Sequence, residues 1–123
     1  GLSAGNYAGA EASETNWPPG FRVIDDYRDP FVRTAPVGMF PSNRAGLYDL
    51  GGNVWEWCQD MLEPTKDLHV VRGASWVDNL PDILLSSYRH AGGPNLRNVT
   101  VGFRCVLAPE GSSTNQPPVP EKN

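Results

Sequence analysis

Four separated blocks constrain this chain more than anything else in it. They are Pro36-Val-Gly-Met-Phe-Pro-Ser-Asn43, Gly46-Leu-Tyr-Asp-Leu-Gly-Gly-Asn-Val-Trp-Glu-Trp57, Arg72-Gly-Ala-Ser-Trp76 and Gly102-Phe-Arg-Cys105. Glycine, tryptophan and charge recur in them with neither a helical nor a strand period. The backbone there is expected to be held in specific loop geometries around buried aromatics and a cation. Thirteen glycines and twelve prolines against two methionines point the same way, toward short strands and turns rather than a helical bundle.

The 123 residues suffice for one domain with a modest core. The net charge is −4 and the ten basic residues are spread along the chain, so no patch supports nucleic-acid binding. No run approaches the roughly 18 apolar residues of a membrane span, and the N-terminus has neither a basic start nor an apolar signal core. No membrane partner is expected. Cys58 and Cys105 are the only cysteines, too few for a disulfide scaffold; one bridge and two reduced thiols are both allowed.

Residues 1–20 read as loop, and Asp25-Asp-Tyr-Arg-Asp-Pro30 as a turn with clustered carboxylates. Val54–Cys58 alternates like a short strand, 69–77 reads as a strand interrupted at Gly73, 83–89 as a strand or a helical turn, and 101–107 as a final strand. From residue 108 apolar residues nearly vanish. The expected organisation is a folded unit over 1–107 and a disordered Pro/Ser-rich tail over 108–123.

The ordered set Thr34-Ala-Pro-Val-Gly38, Phe40-Pro-Ser-Asn43, Gly46-Leu-Tyr-Asp49, Gly52-Asn-Val-Trp-Glu-Trp57, Arg72-Gly-Ala-Ser-Trp76, Tyr88-Arg89 and Gly102-Phe-Arg-Cys-Val106 resembles the formylglycine-generating enzyme (sulfatase-modifying factor) superfamily. The resemblance implies an α+β, loop-rich, irregular C-type-lectin-like fold with short antiparallel strands. Domains of that superfamily are longer, and the match is to the C-terminal half. A companion N-terminal polypeptide completing the fold is therefore an expected partner.

The resemblance also implies two calcium sites. One takes the side chains of Asn6 and Asp29 with the carbonyls of Tyr7 and Phe31; the other takes Asp49 and Glu56 with the carbonyls of Gly52 and Val54. These are hard oxygen donors, which suit Ca²⁺ rather than zinc or copper. Structural alternatives stand beside each site: Asp49 capping the Leu50–Gly52 turn, Asp29 in an Asx-turn before Pro30, and Glu56 paired with Arg72 or Arg104. Sodium or water also suits either position. Trp55, Trp57, Trp76 and Phe103 are expected in the core, with Gly73 and Gly102 lying against neighbouring rings.

Formylglycine-generating enzymes hold copper with two cysteines just after the block matched by Arg72–Trp76. Here that stretch, 73–87, has no cysteine, and Asp78 stands at the first thiolate position. A non-haem iron branch of the superfamily takes its histidines from a separate N-terminal domain, and this chain has only His69 and His90. A third branch displays side chains for ligand binding, as in variable proteins diversified by retroelements. The matching surface here is Trp76, Asp78, Asn79, Asp82, Arg89, His90, Asn95, Arg97 and Asn98. The main expectation is thus a non-catalytic, calcium-stabilised domain binding a protein or small-molecule ligand. The alternative is part of an oxidoreductase, of formylglycine-generating or iron sulfoxide synthase type, completed by an N-terminal portion.

Overall fold

The computed structural model describes residues 5–17 and 20–107. The expected tail over 108–123 lies outside the described residues. Strands β1 (Trp55–Glu63), β2 (Leu68–Arg72), β3 (His90–Gly92) and β4 (Val101–Gly102) form one sheet in the order β3-β2-β1-β4. β1 and β2 are antiparallel, with Glu56 opposite Arg72, Trp57 opposite Val71, and the register shifting before Met61 pairs with His69. β2 and β3 are antiparallel, whereas β4 runs parallel to β1 through Trp55↔Val101 and Glu56↔Gly102. Two short 3-10 helices, Ala10–Glu14 and Pro64–Lys66, complete the regular structure.

The expected α+β, lectin-like architecture is therefore incorrect. Among the described residues there is no α-helix; the fold is a curled, irregular β half-barrel with long loops. The physical reason lies in punctuation. Glycine and proline break the chain into stretches shorter than the dozen or so residues a helix needs in order to nucleate, and the longest uninterrupted one, Asn53–Glu63, is taken by β1. Residues 83–89 form turns instead of a strand or helix, with the Leu84 amide donating to Leu80 and the Tyr88 amide to Leu85. The 69–77 strand stops at Arg72, where Gly73 takes φ +98°. No described helix is long and apolar enough to cross a membrane.

Trp55, Val71 and Ala74 form the buried centre, with Tyr7, Trp57, Ile83, Leu84, Tyr88 and Val101 packed around it. Trp55 and Trp57 are thus core or core-lining, as expected, but Phe103 is 75% exposed. The glycine expectation also shifts. A Cβ on Gly73 would meet the Leu50 carbonyl and one on Gly102 the Val54 side chain; a glycine that does lie against a tryptophan ring is Gly92, where a Cβ would be 2.9 Å from Trp57. Gly92→Ala should therefore cost about 1–3 kcal/mol by overpacking, read from urea unfolding.

Asn53 ties the loops to the sheet. It sits at φ 64°, its Oδ1 accepts from the Ala35 amide at 2.8 Å and from Asn6 Nδ2 at 3.2 Å, and its Nδ2 donates to the Ala35 carbonyl at 3.3 Å. Its amide donates to the Asn6 carbonyl, and its carbonyl accepts from the Trp76 amide. One turn thereby fixes the N-terminal segment, the 33–35 loop and the Arg72–Trp76 block relative to β1.

Candidate functional site

A cavity of about 330 Å³ opens beside the start of β1, lined among others by Val37, Tyr48, Asp49, Val54, Glu56 and Arg104. Trp55 anchors the strand in the core, and alternation turns Glu56 toward the cavity. Its carboxylate meets Arg104, with Nε 2.6 Å from Oε2 and Nη2 2.5 Å from Oε1. Arg72, opposite Glu56 in the ladder, instead donates to the Ser86 and Tyr88 carbonyls. Arg104 also donates to the Tyr48 and Asp49 carbonyls at 3.0 Å each, so it clasps the Asp49 loop to β1. Hydrogen bonding to Glu56 raises the guanidinium pKa still further above its ordinary value.

Asp49 has φ 52° and does not cap the 50–52 turn by its side chain; its Oδ2 accepts from the Gly38 amide at 2.5 Å. Its Oδ1 is buried and has no hydrogen-bond partner. A buried carboxylate oxygen left without a donor is costly and marks a place for a cation or water. Glu56 already has Arg104. Its two oxygens retain acceptor capacity, but an added cation would feel the guanidinium as a like charge.

The Asn6 and Asp29 side chains are almost fully buried, at 0% and 3% exposure. Asp29 Oδ1 accepts from the Phe31 amide at 2.8 Å, the Asx geometry across Pro30, and Oδ2 from the Tyr7 amide at 3.3 Å. A second buried carboxylate, Glu11, lies alongside: its Oε2 accepts from the Asp29 amide at 3.2 Å and its Oε1 from the Gly9 amide at 3.0 Å. Among the described residues no salt bridge reaches either carboxylate. Burial pushes the Asp29 pKa up, and the Glu11 charge adds to this against the two amide bonds. Asn6 Nδ2 donates to the Arg33 carbonyl at 2.7 Å, while Asn6 Oδ1 is buried without a partner.

Each sequence-derived cation position thus contains one orphaned buried side-chain oxygen. Among the described residues no three His, Cys, Asp or Glu side chains converge, so any cation would be held largely by amide and carbonyl oxygens, the donors Ca²⁺ accepts. Glu11 and Asn53 were not singled out from sequence. Glu11 sits in a segment without period, and Asn53 follows two glycines, which signals a turn but not three side-chain bonds.

The surface residues divide in two. Trp76 Nε1 donates to the Val99 carbonyl, Asp78 Oδ2 accepts from the Ser75 amide and hydroxyl, Asn79 donates to the Arg22 carbonyl, and Asn98 Oδ1 accepts from Thr100. Asp78 and Asn98 brace their own turns, whereas Trp76 and Asn79 tie theirs to the distant Val99 and Arg22 segments. Asp82, Arg89, Asn95 and Arg97 are exposed, and His90, in β3, is exposed with its ring 5.4 Å from that of Trp55. Cys58 and Cys105 are both free thiols.

Comparison with known proteins adds the following. The Sulfatase-modifying factor enzyme 1-like domain family matches residues 1–109. The chain is similar to the formylglycine-generating enzyme of Thermomonospora curvata, 50% identical over 76% of this chain and 37% of that protein. It is similar to the inactive C-alpha-formylglycine-generating enzyme 2 of Mus musculus, 37% identical over 78% of this chain and 33% of that protein. It also resembles the serine/threonine-protein kinase Pkn1 of Chlamydia trachomatis, 42% identical over 59% of this chain and 14% of that protein. The chain therefore spans about a third or less of the relatives it matches. No solved structure matches it.

Proposed function

Because the chain belongs to the Sulfatase-modifying factor enzyme 1-like domain family, we propose that it is the C-terminal portion of a superfamily oxidoreductase whose redox centre is completed by the portion preceding it. The observation that carries this reading is the 50% identity to a formylglycine-generating enzyme over three quarters of this chain but little more than a third of that relative. In this division of labour the present residues supply scaffold and binding surface. Copper held by thiolates does not fit here: the 73–87 stretch has no cysteine, and Asp78 is engaged by Ser75. No redox step is therefore assigned to these residues. The test is oxygen consumption with a cysteine-containing peptide. The full polypeptide should consume oxygen in proportion to thiol and this chain alone should not; an inert full polypeptide would remove the oxidoreductase reading.

A second reading is a non-catalytic binding domain. The structural use of Asp78 supports it, as does similarity to a relative named inactive. It predicts peptide or small-molecule binding by the full polypeptide without turnover, lost when Arg89 and Arg97 on the exposed surface are changed to glutamate.

Under either reading we propose that calcium stabilises the two oxygen-lined positions. Asn6, Asp29 and the Tyr7 and Phe31 carbonyls would hold one ion, and Asp49, Glu56 and the Gly52 and Val54 carbonyls the other. The support is the orphaned oxygen in each set. Calcium would supply charge compensation for buried carboxylates. Melting in calcium should exceed melting in chelator by several degrees, of the order given by mass action at saturating ligand. Asp49→Asn with Glu56→Gln should remove one part of that difference and Asn6→Ala the other; an unchanged difference in both would dismiss the metal.

The pH dependence has a definite sign. Burial raises the folded pKa of Asp29, so in chelator its contribution is fully present below the ordinary carboxylate range and is lost as pH rises through the folded value. Calcium takes the ionised form. The calcium-dependent gain in melting temperature should therefore grow as pH rises through that same window.

A further inference from the structure

A row of charged side chains crosses the sheet on the face turned away from the buried Trp55 and Val71. Glu56 on β1 stands opposite Arg72 on β2, and one position beyond the Val71↔His90 pair the antiparallel register brings Arg89 opposite Arg72. Residues so placed share a face, with Cβ atoms about 5 Å apart. The acid positioned to neutralise Arg72 is Glu56, but its carboxylate is taken by Arg104. Two guanidinium groups are left side by side, and among the described residues neither forms a salt bridge. Like charges directly opposite each other destabilise a sheet, a cost that an anion between them would offset.

The two arginines differ in freedom. Arg72 is held in place, its Nη1 donating to the Ser86 and Tyr88 carbonyls at 3.2 and 3.3 Å. Its Nε/Nη2 edge, the edge with which Arg104 grips Glu56, has no acceptor among the described residues. Arg89 is exposed and bonds no other described side chain. Both charges reach the Cys58 thiol: burial raises its pKa, Arg72 and Arg89 act against that rise, and Asp60 and Glu56 add to it. The two guanidinium groups therefore converge on one region of the face.

We propose that Arg72 and Arg89 form a binding site for a doubly charged tetrahedral oxyanion, a phosphoryl or sulfuryl group. Charge and shape choose this class. Two uncompensated forks match a dianion with several acceptor oxygens, whereas a planar carboxylate would satisfy one fork and leave the second charge unpaired. The Ser86 and Tyr88 carbonyls fix Arg72 in advance, so the ordering cost of binding falls mainly on Arg89. This deepens the binding-domain reading, on which the protein's use of the site rests, by naming the chemistry its exposed surface would take.

The test is arginine modification by phenylglyoxal on the full polypeptide, followed residue by residue through peptide masses, with ionic strength matched by chloride. Near-saturating phosphate or sulfate should slow modification of Arg72 and Arg89 at least ~10-fold and leave the exposed Arg33, Arg44 and Arg97 unchanged. Protection by only one of the two anions would narrow the ligand to that group. Equal slowing at all five arginines would be screening and would overturn the proposal. So would acetate protecting as well as either dianion, or an Arg89 already unreactive before any anion is added, which would mean that a carboxylate of the polypeptide occupies the site. Arg89→Gln should abolish the protection of Arg72. In chloride this variant should melt at or above the unchanged protein, and below it in saturating dianion; a lower value in both would make Arg89 structural and overturn the site. Neither readout involves the peptide or small-molecule ligand, so a protein that holds the dianion and no such ligand would retain this inference and remove only the binding-domain reading.

Discussion

Asn53→Ala is expected to lower the unfolding free energy by about 3–4 kcal/mol, among the largest effects of any single substitution in this chain. The Asn53 side chain bonds both polar groups of Ala35 and the amide of the Asn6 side chain. Ala35 is buried, so its amide would lose its partner where water does not reach it. Alanine would also have to adopt φ 64°, at a cost of roughly 1–2 kcal/mol. Asn53→Gly separates the terms. It removes the bonds but not the backbone tolerance, and should recover about 1 kcal/mol relative to alanine in urea unfolding. Equal losses would show that backbone strain contributes nothing at this turn.

Arg104→Met is expected to cost about 2–3 kcal/mol in chelator. Glu56 would keep its half-buried carboxylate without a counter-charge, and the Tyr48 and Asp49 carbonyls would lose a donor. The lower end of the buried-pair range applies because both side chains retain some contact with water. A double-mutant cycle with Glu56→Gln should give a coupling of at least about 1 kcal/mol, and near-additivity would mean that the contact is solvent-screened. In calcium the loss should shrink, because a metal at Glu56 would no longer meet a neighbouring positive charge. A loss equal in calcium and chelator would separate Arg104 from the cation position altogether.

The calcium positions illustrate how far residue types lead. Asp29 and Asp49 read from sequence as oxygen donors with ordinary turn roles beside them, and of those turn roles only that of Asp29 is found. Asp29 makes the Asx contact to Phe31 and is still buried next to Glu11; Asp49 bonds Gly38 with one oxygen and leaves the other without a partner. Glu11 was illegible because its burial beside Asp29 comes from a 3-10 helix folded back on a residue 18 positions later, a closure that no local pattern records.

What the sequence by itself determined was the chain's punctuation and its ordered motifs. Glycine and proline spacing set where elements stop, the Trp55-Glu-Trp57 alternation set a strand with a buried ring beside a cavity-facing carboxylate, and the motif order led to the family. The choice of Arg104 over Arg72 for Glu56 and the pairing of only two residues of the 101–107 run were decided by tertiary structure. Each depends on what lies across space. A carboxylate takes whichever guanidinium the closed fold brings within hydrogen-bond distance, and a β-compatible run becomes a strand only where another edge offers it hydrogen bonds. Beyond Gly102 the described residues offer none.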